Sequence, residues 1–117
     1  MSSVIAKNMQ VGTSGTANQN FTLYQPASPD GTVRLGVGNT GATTGDVVTV
    51  SSSGVTVTGT LTSSGVTTVP AGSAAAPSIS PSGDSNTGIF FPAADTIAFS
   101  EGGTEVARFD SSGRGRL

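Results

Sequence analysis

The chain's large apolar side chains are few, and they are gathered. SGDSNTGIFFPAADTIAF, residues 82–99, holds three of the five phenylalanines in a background of glycine, serine, threonine and alanine. A domain near 117 residues buries a modest fraction of its surface even when apolar residues are plentiful. Here they make up 34% of the sequence and aromatics only 5%, while 17 glycines and many serines and threonines must be ordered on folding. Burial inside one chain is not expected to offset that cost, so surface from outside the chain is expected to complete the core.

Charge narrows the classes further. Only 10% of residues are charged and the formal net charge is -2, which fits neither a highly charged disordered tail nor an electrostatic nucleic-acid binder. Cysteine and histidine are both absent, removing disulfides, thiolate chemistry, the usual general base and the commonest transition-metal ligand. No catalytic residue, metal or cofactor is therefore assigned, and the chain is expected not to be an enzyme. The start, MSSVIAKNMQVGTSG, lacks a basic segment followed by an apolar run, and no stretch approaches membrane-span length. Neither Sec-type export nor a membrane partner is expected.

Along the chain the periodicity is that of strands. FTLYQ (21–25) alternates Phe21 and Leu23 with Thr22 and Tyr24, and PASPDG (26–31) has the residues of a tight turn. In TVRLGV (32–37), Val33, Leu35 and Val37 share one side. GNTGATTG (38–45) reads as a loop and DVVTV (46–50) as the next strand, giving a small antiparallel unit over residues 1–50. Residues 51–69, SSSGVTVTGTLTSSGVTTV, alternate Val55, Val57, Gly59 and Leu61 with threonines and repeat an SSG break about eleven residues apart. That pattern fits a thin β shaft, with a Ser/Thr-Gly linker as the alternative. Residues 70–88 contain three prolines and should run extended across a surface. IAFS and TEVARF, joined by EGG (101–103), then form a hairpin whose apolar side packs on Ile89, Phe90 and Phe91, making 70–117 a C-terminal module.

Several motifs have a bland and a sharp interpretation. GVGNTG (36–41) matches the dinucleotide fingerprint literally, but no helix follows to offer its amides to a pyrophosphate. DSNTG (84–88) resembles the start of a calcium loop, yet Asp95 stands where the bidentate glutamate belongs, so an Asx-type turn is expected. Asn20-Phe21-Thr22 matches the glycosylation pattern, without an export signal to give it meaning. Glu101 and Glu105 flank the hairpin loop as solvated charges, and Arg108, Arg114 and Arg116 are expected to solubilise the chain or pair with neighbouring acids.

AGSAAAPSISPSGDSNTGIFFPAADTIAFSEGGTEVARFDSSGR, residues 71–114, resembles a module of bacteriophage tail-fibre and related virion appendage proteins. The resemblance runs through G-S-A-x-A-P-S-I, a G-D-x-N-T-G-I turn, P-x-A-D-x-I-A-F, a glycine loop and D-S-S-G, in that order. SSVIAKNMQVGT and FTLYQPASPDGTVRLGVGNTGATT are similar, less distinctively, to the leading segments of such proteins. The resemblance implies an elongated all-β homotrimer of short strands and hairpins, assembled in the host cytoplasm, incorporated in the virion and partnered by other virion structural proteins. In it, Val55, Val57, Leu61, Ile89, Phe90, Phe91, Ile97, Phe99 and Phe109 are expected at the trimer interface. Val4, Ile5, Met9 and Val11 are expected to dock on the particle, ordering against a partner rather than folding alone. The family commonly continues into a receptor-binding tip, whereas this sequence stops at Leu117. A short fibre or proximal adaptor is therefore expected, with a capsid decoration protein as the alternative. An adhesin or stalk fragment and a carbohydrate-active domain fit less well.

Overall fold

The computed structural model describes residues 6–40 and 42–117. The protein is all-β: the described residues form nine strands in two antiparallel sheets, with one 3-10 turn, Ala17–Gln19, between the first two strands. The chain divides into two compact units, Met1–Thr62 and Ser63–Leu117, each built around its own sheet.

The first unit is a meander of β1 (Asn8–Val11), β2 (Phe21–Tyr24), β3 (Val33–Asn39), β4 (Ala42–Ser51) and β5 (Gly54–Val57), paired in that order. The tight turn expected after β2 is instead a longer connection, residues 25–32, in which Asp30 accepts from the Thr32 amide at 3.1 Å. Two further expectations change. The segment 38–45 is mostly strand, because β3 runs to Asn39 and β4 begins at Ala42. The fingerprint-like Gly36 and Gly38 thus lie within β3, where they are buried and where the β3–β4 ladder shifts register. The chain near Met9 and Val11, expected to order against a partner, pairs within its own unit, β1 with β2 along its whole length. Val4 and Ile5 lie outside the described residues.

The polar side of this sheet is where packing is tightest. Asn20 and Thr22 are fully buried. Asn20 accepts from the Ser14 amide at 3.0 Å and donates to the Ser14 carbonyl at 2.8 Å and to Asn39 Oδ1 at 2.6 Å. Thr22 Oγ1 donates to the Gly38 carbonyl at 2.9 Å. Residues 12–20 fold onto the sheet through these bonds, which satisfy the buried groups as a low-dielectric interior demands. Nearby, Arg34 donates to Asp30 at 2.6 Å and Asp46 at 3.0 Å, and the Tyr24 hydroxyl donates to Asp46.

Of residues 51–69, expected to form a thin β shaft, only the end of β4 and β5 are strand. Val55 and Val57 are in β5, but residues 58–78 contain no strand, and Leu61 is 78% exposed. Alternation gives a strand only where a neighbour supplies the ladder, and β4 does so only as far as β5.

In the second unit the sheet order is β6 (Gly88–Phe90), β7 (Ile97–Glu101), β8 (Thr104–Phe109) and β9 (Gly115–Arg116). The proline-bearing stretch runs alongside it as a strap. Ala71 accepts from the Phe91 amide at 2.8 Å, Ile79 and Ile89 exchange both backbone bonds, and Pro77 is buried. Gly88 makes this approach possible, since a Cβ there would stand 1.9 Å from the Ile79 carbonyl oxygen. The β7–β8 hairpin closes through Gly102 and Gly103, with φ of 57° and 83°, the left-handed pair that a two-residue hairpin loop favours. DSNTG holds that hairpin tip: the Gly103 amide donates to the Asn86 carbonyl at 2.8 Å and the Gly102 amide to Thr87 Oγ1 at 3.2 Å.

Candidate functional site

The cross-strand register of the first sheet puts its apolar residues on one side. Met9 faces Leu23 and Val11 faces Phe21 across β1 and β2, while Leu23 and Phe21 face Leu35 and Val37 across β2 and β3. The row continues through Val33 opposite Val50, Leu35 opposite Val48, Val50 opposite Val55 and Val48 opposite Val57. Residues opposite each other share a face, so five strands present a continuous apolar surface. Met9, Val11, Phe21, Leu23, Val33, Val50 and Val55 are exposed on it. A half-buried sheet normally covers its apolar side; in this unit the fully buried side chains, Asn20 and Thr22, belong to the segment and strand face opposite.

The second sheet has the same division. Phe90 pairs with Ala98 on the face that is buried, at 3% and 0% exposure. The other face carries Ile89 opposite Phe99, Phe99 opposite Ala107 and Ile97 opposite Phe109, with Ile79 bridged to Ile89. Ile79, Ile97, Val106 and Phe109 are exposed, and Ile89 and Phe99 are half-buried. A register shift after Phe99 brings Val106 to the shallow pocket lined by Ile89 and Phe99.

Most of the expected interface residues therefore lie on two apolar faces. Val55 and Val57 are on the first; Ile89, Ile97, Phe99 and Phe109 are on the second. Phe90 is the exception. Its ring is enclosed by its own chain, on the side of β6 opposite Ile89, leaving almost no surface for a neighbour. Phe91 is half-buried and Leu61 lies outside both sheets. Sequence reasoning missed Phe21, Leu23, Val33 and Val50, although their alternation was visible; what it lacked was which side of the strands would be covered. Met9 and Val11, assigned to docking, belong to the same apolar face.

The charged groups are paired around the faces rather than on them. Glu105 and Arg108 form an ion pair, with a second bond from Arg108 Nη2 at 2.7 Å, so Glu105 is a partnered group instead of the solvated loop charge expected. The Arg108 guanidinium holds the Glu105 carboxyl below its ordinary value, and Glu105 raises Arg108. Asp30 is held below its ordinary value, first by the Thr32 hydroxyl and then by Arg34, while Asp46 and Asp30 raise Arg34. Arg116 lies 3.8 Å from Asp110. Asn20 spends its amide on internal bonds, which leaves the glycosylation pattern without an available acceptor. Among the described residues no group of three acidic side chains could hold a metal ion, and no helix is long and apolar enough to cross a membrane.

No protein-family model matches the chain, and no curated protein or solved structure matches it significantly.

Proposed function

We propose that this chain is a structural component of a bacteriophage virion: a short trimeric fibre or proximal fibre adaptor attached to the particle by its N-terminal region. The observation that carries this is the pair of uncovered apolar sheet faces. Each half-exposed Val, Leu or Phe gains on the order of 1 kcal/mol on being covered, so several together rival the stability of a small domain. Contiguous apolar surface of that kind marks an association site. Three copies sharing it would pool the core that no single chain supplies. The resemblance of residues 71–114 supports the virion setting, since that stretch makes up most of the second unit, strap, turn and hairpin included.

Sedimentation equilibrium should give a trimer, and labelled antibody against the protein should decorate purified particles. Deleting residues 2–12, which removes the whole of β1, should leave assemblies that do not join particles. A folded monomer at micromolar concentration, or particles without the protein, would overturn the proposal.

A further inference from the structure

β5 ends the strand order of its sheet, so one of its edges is unpaired there. The Thr58 amide donates to the Val47 carbonyl at 2.9 Å. Backbone groups alternate along a strand, so Thr56 also faces β4, and the N–H and C=O groups of Val55 and Val57 point to the open edge. Natural edges are blunted by lysine, proline or bulges. This one is not: residues 47–69 contain no charged residue and no proline.

The hairpin that forms this edge is written twice. TVSSSGVT, residues 49–56, and TLTSSGVT, residues 60–67, differ only by Val50 against Leu61 and Ser51 against Thr62. The first copy folds as the β4–β5 hairpin because β3 receives β4. The second joins no sheet, and Val66 within it is 93% exposed. Near-identical sequence takes two conformations, and the difference is the presence of a ladder to join. Each chain thus carries both this open edge at β5 and a strand-competent segment that joins no sheet.

We infer that residues 65–69 of one copy, GVTTV, pair as a sixth strand with the open edge of β5 in a second copy. The occupant is another copy because the segment nearly repeats the β4–β5 hairpin that forms the edge and shares its charge-free Val/Thr chemistry. Each chain gives one segment and receives one, a heterologous contact that closes into a ring when the rotation permits. The inference rests on the trimer proposed above and names the contact that links its subunits.

The absence of cysteine makes engineered disulfides a clean probe. Thr56→Cys is combined in turn with Gly65→Cys, Val66→Cys, Thr67→Cys, Thr68→Cys and Val69→Cys, and the oxidised proteins are run on denaturing gels without reductant. Alternate registers are covered, and at least one pair should give covalent trimers. Hydrogen exchange should show protected Val55 and Val57 amides, with protection lost in Thr67→Pro, which removes a strand donor at a position that has no strand bond in its own chain. Trimers by sedimentation that form only intrachain disulfides, or none, or that keep their protection in Thr67→Pro, overturn this inference and leave the trimer standing. Monomers by sedimentation overturn both.

Discussion

Phe90 and Phe91 are neighbours in sequence with different tasks. Phe90 is 3% exposed and paired with Ala98, whereas Phe91 is half-buried and tied through its backbone to Ala71. Phe90→Ala should therefore cost about 3 to 5 kcal/mol and unfold the second unit, with Phe91→Ala costing less. Thr58→Ala, at an exposed position, should stay within about 0.5 kcal/mol. Thermal denaturation ranks the three, and equal melting points would contradict the burial order. The carboxylates give a pH prediction. Glu105 in the folded chain binds a proton less tightly than its ordinary value of 4.5 implies, and Asp30 less tightly than 3.8 implies. Their stabilisation is complete at neutral pH and is lost as pH falls below those values toward the depressed ones. Arg108→Gln should lower the melting temperature at pH 7 by a small amount, as exposed pairs do, and the gap to the parent should narrow below about pH 4. A gap that widens on acidification would contradict the pairing.

At the scale of elements, the strap and the hairpin tip tie residues 71–88 to the second sheet. The strap reaches β6 only because residue 88 has no side chain. Gly88→Ala should break the Ile79–Ile89 bridge and lower stability by more than the roughly 1 to 3 kcal/mol of ordinary overpacking, since the clash is with backbone. Amide exchange at Ile79 and Ile89 should rise from protected to rapid. Unchanged protection would mean the strap is held elsewhere. The bulge in β8 acts on the same scale: by adding a residue after Glu105 it sets Glu105 and Arg108, three apart, on one side, where they pair.

For the molecule as a whole, each unit satisfies one face of its sheet internally and leaves the apolar one uncovered. Leu23→Asp and Phe109→Asp place a charge on the first and second of these faces at exposed positions. Both should leave the far-ultraviolet circular dichroism unchanged and shift sedimentation from trimer to monomer, because burying an unpaired carboxylate costs far more than the lost apolar contact. Variants that remain trimers would show that these faces are not where the copies meet. β2, β3, β5 and the β7–β8 hairpin were legible in the sequence because they alternate with period two between turn residues, and local periodicity survives in any packing, whereas β1 and β9 were not. The same period cannot say which side is covered. In the first unit residues 12–20 decide it, bonding to the polar side where Asn20 and Thr22 are buried, and in the second the folded chain encloses Phe90 instead of offering it to a neighbour. Nor could alternation say that residues 60–67 would join no sheet while their near-repeat at 49–56 becomes a hairpin. Strand formation needs a ladder, and a ladder is a property of what the folded chain brings alongside, not of the segment itself.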